Sequence, residues 1–345
     1  MKVCLVNRYF DFRGTGVTRI ATEVSKELEK RGHDVVRVAT GDGGSSLYSY
    51  AFQTGIGVAF RLPRDGIDVY HALATMEAMW LPRDKSIATY LDLFTTTNPE
   101  RAGAGMGYSR WKLEVGRRYF AFGSRIASRC RFLACISDKT KQDVLENIKV
   151  DARKVRVIRL GISDTLKPEN GEHNRLTIGT LGQLDKRKRV NLLVEAFHSS
   201  GLDADLLVAG QGPDGEMLRS IAEGDSRIRF LGLVPENDLN GFYNSLDLFV
   251  FPSGIEGYGL PPVEAMACGK PVVVLDDAIL PQEIRIRCAS VDNLYSLFNN
   301  LSELERIIAR YYIAYYDNLM FARKHKWEEC VSEYIKLYEE IKEAN

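Results

Sequence analysis

Apolar residues in this chain fall into short runs separated by polar, glycine-rich stretches, and helical patterns lie between the runs. Residues 3–6 predict a buried strand. Val17, Ile20, Ala21, Val24 and Leu28 share one face of a helix that Gly32 stops. Residues 35–39 predict the next strand. The loop between the first strand and the helix ends in Gly14-Thr15-Gly16, which completes a βαβ unit. In such a unit the loop faces a ligand at the carboxyl edge of the sheet. Further strands are predicted at 67–71, 87–91, 132–136 and 155–158.

The alternation restarts at Leu176. Strands are predicted at 176–179, 206–209, 228–231, 248–251 and 272–275, with helices at 190–199, 214–223, 236–245 and 262–268. The fold class is therefore α/β, with two Rossmann-like, doubly wound parallel sheets. Residues 167–174 contain Pro168 and Gly171 among polar side chains and read as the linker. This gives domains at 1–166 and 167–320. Residues 321–345 carry Trp327, Cys330, Val331, Tyr334, Leu337, Tyr338 and Ile341 at helical spacing. A stripe that one-sided has to be buried against another surface.

Residues 108–131 differ in character. Arg110, Lys112, Arg117, Arg118, Arg125, Arg129 and Arg131 stand against a single acid, Glu114, with Trp111, Tyr119, Phe120 and Phe122 interleaved. Two readings stay open. The aromatics pack inward beneath solvated arginines, or the helix presents a basic amphipathic face to an anionic membrane or a phosphorylated acceptor.

Composition narrows the partners. The 345 residues suffice for two domains with full cores. The formal net charge is zero, so no global field favours nucleic acid, and none is expected as a partner. The 6 cysteines form no C-x-x-C pair and read as small core residues in a reducing compartment. Met1-Lys2-Val3 leads straight into a strand, and no apolar run approaches membrane-spanning length. A cytoplasmic protein is expected, peripheral on the inner membrane face if residues 108–131 touch lipid.

The chemistry concentrates after the strand at 248–251. Glu256 precedes a Gly257-Tyr258-Gly259 turn, Pro261-Pro262 opens a short helix, Glu264 lies inside it, and Gly269 with Pro271 ends it. A glycine turn leading into a helix N-terminus suits a pyrophosphate, because backbone N–H groups and the helix dipole converge there. Asp203-Ala204-Asp205 is the only D-x-D; it precedes a strand and reads as a turn, so no metal is expected.

In this order the motifs resemble the retaining glycosyltransferases of family 4, with the GT-B architecture. Glu256 and Glu264 look like the family's E-x7-E motif. Arg31-Gly32-His33-Asp34-Val35, residues 155–162, residues 182–188, Val208-Ala209-Gly210-Gln211-Gly212-Pro213 and Phe230-Leu231-Gly232 add to the likeness. The resemblance implies an interdomain cleft, with the final helix completing the first domain. It implies a nucleotide-sugar donor (a UDP- or GDP-hexose) on the C-terminal domain and a sugar, lipid-linked or other hydroxyl acceptor on the N-terminal one. No cofactor and no metal is implied.

The roles that the resemblance implies fall on named residues. Glu264 anchors the donor ribose. Glu256, with Gly257, Tyr258, Gly259 and Leu260, holds the donor sugar and pyrophosphate, and Lys188 neutralises the leaving phosphate. Gly16 lets the backbone approach that phosphate, Gly210 and Gly212 shape the cleft wall, and backbone near Val234 meets the base. Asp92 is the third catalytic candidate. His71, Asp92, Arg110 and Arg117 are the acceptor-side candidates. The chain departs from the family pattern at Gln183, where Arg is usual, and at Leu91, where His is usual. Gln183 is still placed at the donor. A catalytically inactive nucleotide-sugar-binding partner subunit is the alternative. A Rossmann dehydrogenase or epimerase is disfavoured, because the Gly14–Gly16 loop lacks the third glycine of a dinucleotide fingerprint.

Overall fold

The computed structural model describes residues 1–11, 16–41, 57–102, 110–169 and 175–345. Gly14 and Thr15 of the glycine loop, residues 42–56 and 103–107 of the expected acceptor loops, Tyr108, and residues 170–174 of the expected linker lie outside the described residues.

The chain forms two compact units. The first takes the described residues up to Gly161 and then Trp327–Asn345; the second takes Ile162–Lys326. The division thus falls a few residues from the expected boundaries at 166/167 and 320/321. Hydrogen bonds give the reason. The Ile162 N–H donates to the His325 carbonyl at 2.8 Å, and the Lys167 and Glu169 N–H groups donate to Asn240 and Asn244 at 2.9 Å. Of the stretch expected to be the linker, the described residues 167–169 are bonded to the second unit.

The first unit holds a six-stranded sheet in the order β2-β1-β3-β4-β5-β6. Its strands are β1 (Lys2–Asn7), β2 (Asp34–Ala39), β3 (Val69–Ala72), β4 (Ser86–Tyr90), β5 (Phe132–Cys135) and β6 (Val155–Val157). All pairings are parallel. The helices used below are α1 (Gly16–Lys30), α2 (Arg110–Ala127) and α3 (Asp138–Asn147). Strand order reverses between β1 and β3, so the switch point of this sheet lies there.

The second unit repeats the plan in the order β12-β11-β10-β7-β8-β9. In chain order it contains β7 (Leu176–Leu181), α4 (Val190–His198), β8 (Ala204–Ala209), β9 (Ile228–Gly232), α5 (Leu239–Asn244), β10 (Leu248–Phe251), α6 (Leu260–Ala267), β11 (Val272–Leu275) and β12 (Ala289–Val291). The apolar runs sit in parallel strands covered on both faces, which is why they read as continuous rather than alternating. Ile178, Val208, Val250 and Val273 from four neighbouring strands share one core with Phe197 of α4. The short edge strand β12 was not anticipated; three residues give too little pattern.

The chain end differs from the single helix expected over 321–345. One helix, α7 (Tyr315–Arg323), closes the second unit, and a second, α8 (Trp327–Glu343), belongs to the first. Between them His325 and Lys326 leave the helical path, and Lys326 forms a bridge with Ile162. The stripe of α8 is buried as its spacing requires, with Val331, Tyr334, Tyr338 and Ile341 at zero exposure. Arg31, at the end of α1, donates to Ser332 Oγ at 2.8 Å and to the Glu328 carbonyl at 2.7 Å.

Candidate active site

In the second unit, strand order reverses between β7 and β10. The chain runs β7, β8, β9 outward on one side and β10, β11, β12 on the other. The loops leaving β7 and β10 therefore run on toward strands on opposite sides of this point, the place where open α/β sheets bind ligands. Lys188 lies on the loop after β7 and Glu256 on the loop after β10, so they flank this switch point.

Their side chains meet there. Lys188 Nζ donates to Glu256 Oε1, which also accepts from Ser253 Oγ. The Arg187 guanidinium lies 3.3 Å from the same oxygen and donates to the Ile255 carbonyl at 3.0 Å. The Lys188 and Glu256 side chains are only 13% and 12% exposed, so little water screens the pair. Burial by itself would raise the Glu256 carboxyl, but Lys188, Arg187 and Ser253 outweigh it and hold the group below its ordinary value. Burial lowers the Lys188 ammonium, against the opposing pull of Glu256. An ionised pair with a second cation at hand results.

The loop holding Lys188 is itself fastened. Arg189 has φ of 52°, the sole positive φ of a non-glycine among the described residues. Its Nε donates to the Pro252 carbonyl at 2.9 Å, and its Nη1 meets Asp277 at 2.8 Å. The Gly254 N–H returns a bond to the Arg187 carbonyl at 3.0 Å. The β7 and β10 loops are thus stitched together on both sides of the ion pair.

Two glycines set the adjoining wall. At Gly210, φ is 124° and an added Cβ would lie 1.8 Å from the Gly182 carbonyl oxygen. At Gly212 it would lie 2.3 Å from the Leu184 carbonyl oxygen. Both distances are far inside van der Waals contact, so the loops after β7 and β8 approach as backbone only. Gln183 is exposed on the first of these loops, and Val234 is half-buried beyond β9.

Gly259, at φ 99°, turns the chain into α6, whose first turn contains Pro261 and Pro262. The helix starts at Leu260, close to the expected start at 262. Glu264 lies one turn in, 1% exposed, and its Oε2 accepts from the Tyr243 hydroxyl at 2.6 Å. That depth was not foreseen, and neither were the parts of Tyr243, Ser253 and Arg189. Ser253 carried a faint signal, being a hydroxyl three residues before Glu256.

Gln183, Lys188, Gly210, Gly212, Glu256 and the 257–260 turn therefore gather at the carboxyl edge of the second sheet. Gly16, His71, Asp92, Arg110 and Arg117 belong to the first unit. Gly16 is exposed at the start of α1. Asp92 follows β4 and accepts from the Phe94 N–H at 3.1 Å. Arg110 is exposed at the start of α2, while Arg117 is bonded to Glu114 at 2.7 and 2.8 Å.

His71 corrects its acceptor-side assignment. It is wholly buried on β3, with Nδ1 2.7 Å from the Tyr338 hydroxyl and Nε2 2.8 Å from Thr89 Oγ1. Both ring nitrogens are engaged inside the unit, and burial lowers its pKa to about 3, so it is a neutral core residue. The D-x-D carboxylates are also occupied: Arg175 bonds Asp203 at 2.9 Å and Asp205 at 2.7 Å.

On α2 the aromatics do not form the buried face: small residues do, and Tyr119 and Phe120 are only half-buried. Gly116, Gly123 and Ala127 face inward, yet Trp111 is 58% and Phe122 56% exposed. Trp111, Val115, Arg118, Phe122 and Arg125 follow one another at steps of four and three, so they form one outward stripe. Among the described residues no helix is long and apolar enough to cross a membrane.

Comparison with known proteins agrees with the geometry. The sequence matches the profile of Glycosyltransferase Family 4 over residues 14–166 and that of glycosyl transferases group 1 over residues 163–286. It is 29% identical over 168 residues to the O-antigen chain mannosyltransferase B of Escherichia coli, covering 46% of this chain and 44% of the relative. It is 26% identical to the O-antigen chain mannosyltransferase RfbU of Salmonella typhimurium, covering 59% and 61%. The matches thus span about half the length of these relatives. WaaG, a glycosyltransferase involved in lipopolysaccharide biosynthesis, superposes with a TM-score of 0.71 at 17% identity, covering 97% of this chain and 99% of that one. Two parallel sheets of this kind are the GT-B fold.

Proposed function

The chain belongs to glycosyltransferase family 4, and on that premise we propose that it moves a hexose from a nucleoside diphosphate sugar to a hydroxyl acceptor with retention of configuration. The relatives named above favour mannose as the sugar and a surface polysaccharide or glycolipid as the setting. The observation that supports this best is the Lys188–Glu256 pair at the β7/β10 switch point, beside the N-terminus of α6.

The chemistry follows from where charge develops. As the bond between the sugar's anomeric carbon and the β-phosphate oxygen breaks, negative charge collects on that phosphate. Lys188, Arg187 and the Leu260 N–H at the start of α6, ahead of two prolines that have no N–H, are the donors for it in a poorly hydrated site. Glu256 keeps the two cations in place and accepts from a donor-sugar hydroxyl. Glu264 takes the ribose, and backbone beside Val234 takes the base. The acceptor oxygen bonds to the anomeric carbon on the face the phosphate leaves, and its proton passes to the departing phosphate oxygen. Positive charge comes from side chains, so the scheme calls on no metal. Asp92 and Arg110 of the first unit are the acceptor-side groups. The outward stripe of α2 fits an anionic membrane surface and hence a lipid-linked acceptor.

The test is a melting-temperature screen over UDP, GDP and their hexose conjugates, followed by assay of nucleoside diphosphate release. A true donor at a hundred times its Kd stabilises the fold by about 2.7 kcal/mol. No shift with any of them, and no release, would remove the proposal.

A further inference from the structure

The first unit contains a cavity of about 420 Å³ that the proposed chemistry leaves unused. Arg125, Ser128, Arg129, Lys149, Asp151 and Lys154 line it. Arg125 lies in the last turn of α2, and Ser128 and Arg129 follow that helix. The others come from the segment between α3 and β6. Both segments lead into the N-terminal ends of β5 and β6. The cavity is therefore at the opposite edge of the sheet from Gly16 and Asp92, which follow β1 and β4. A ligand at the carboxyl edge does not reach it.

Its charge is one-sided. Four cations stand against one acid, and the Asp151 carboxylate is already bonded to Arg153 at 2.8 and 3.0 Å. Among the described residues no carboxylate pairs with Arg125, Arg129 or Lys149. The end of α2 attracts cations by its dipole, which is the plainer account of an arginine there. That end is served already: Ser128 Oγ donates to the Arg125 carbonyl at 2.7 Å, and Lys154 Nζ donates to the Ser128 carbonyl at 3.2 Å. Three like charges remain around one cavity, and each repels the others. Burial lowers the half-buried Lys154 ammonium, while Arg125, Arg129 and Lys149 are exposed around the rim. Half-buried Val150 and buried Ile148 form an apolar wall.

We propose that this cavity binds a phosphate group, as a phosphomonoester or pyrophosphate, whose organic remainder lies against Ile148 and Val150. Arginine forks match phosphate oxygens two at a time, and a dianion relieves the repulsion among the three cations. The phosphate comes either from a free phosphorylated metabolite or from a lipid headgroup.

Titration calorimetry with inorganic pyrophosphate at low salt, and co-sedimentation with vesicles of phosphatidylcholine containing phosphatidic acid, separate the sources. Both are run on the full chain, on Arg129→Gln/Lys149→Gln and on Lys188→Ala. Pyrophosphate affinity at least tenfold weaker in the double variant, with a component surviving in Lys188→Ala, supports the site with a free ligand. Loss of vesicle binding alone in the double variant supports it with a lipid ligand. The proposal is overturned when the double variant matches the parent in both measurements, or when all pyrophosphate binding disappears with Lys188. The double variant leaves nucleoside diphosphate release unchanged, so failure of this site and failure of the transferase reading are told apart.

Discussion

The Tyr243 hydroxyl donates to Glu264 Oε2 at 2.6 Å, so the carboxylate proposed for the donor ribose is held from α5 rather than standing free at a helix surface. Both residues are almost fully buried. A buried hydrogen bond to a charged acceptor contributes about 1.5–3 kcal/mol. Tyr243→Phe is therefore expected to weaken nucleoside diphosphate binding about tenfold, and Glu264→Ala to weaken it more. Calorimetry with UDP and GDP checks this. Unchanged affinity in both variants would take the ribose role from Glu264.

Removing one member of the Lys188–Glu256 pair leaves the other charge buried beside its former partner. Such a loss costs about 3–5 kcal/mol of stability. Glu256→Ala is expected to lower the melting temperature and to abolish transfer. Lys188→Met keeps the stem and removes the charge. Its turnover is expected to fall about 10²–10³-fold, the effect of losing one transition-state donor. Steady-state assay of both variants decides, and full activity in the Glu256 variant would sink the site assignment.

Arg189 gives a sharper test of how the loops are fastened. A side chain in the left-handed region costs roughly 1–2 kcal/mol. Arg189→Gly removes that strain together with the bonds to Pro252 and Asp277, whereas Arg189→Ala keeps the strain and loses the bonds. The glycine variant is expected to be the more stable of the two by about 1 kcal/mol in urea melts. Both are expected to lose turnover about tenfold while donor KM changes less, because Lys188 is no longer held in register with Glu256. Equal turnover in all three proteins would make Arg189 a purely structural residue.

Much of this was legible in the residues. Parallel strands buried on both faces appear as unbroken apolar runs, and glycine and proline mark where they end. Hence the two sheets, the 257–260 turn and the α8 stripe could be read from the chain. His71 could not be placed that way. A histidine after a strand looks the same whether it faces a ligand or a core, and the Tyr338 that settles its place is 267 residues away. Arg189 was hidden because only glycine advertises a positive φ. The division at Gly161/Ile162 was hidden because it depends on hydrogen bonds made to His325, Asn240 and Asn244. The depth of Glu264 depends on its pairing with Tyr243 of α5, 21 residues away, and no local pattern reveals that contact.

The outward face of α2 is expected to bind anionic membrane. Vesicles rich in phosphatidylglycerol should sediment the protein at low salt and release it as salt screens the arginines. Trp111→Glu and Phe122→Glu replace exposed side chains, so folding is retained while co-sedimentation drops several-fold. No sedimentation of the parent protein would point to a water-soluble acceptor.

His71 makes stability depend on pH with a defined sign. Burial holds its pKa at about 3 in the folded chain, below the roughly 6.5 of an unfolded histidine. The unfolded state therefore takes up a proton that the folded state refuses. The stability is intact above about pH 6.5 and is lost as pH falls toward about 3, at up to about 1.4 kcal/mol per pH unit. His33, whose pKa is also lowered chiefly by burial, adds to the slope, so a difference measurement is needed. His71→Gln is expected to be less stable at pH 7, since it loses part of the bonding to Tyr338 and Thr89. Its stability should nevertheless fall less steeply between pH 7 and 5. The carboxylates are common to both proteins, so their contribution cancels in the difference. Urea melts of the two proteins at pH 7, 6 and 5 give the slopes, and parallel slopes would mean that His71 takes up a proton in the folded state, against its enclosure by Tyr334, Tyr338 and Thr89.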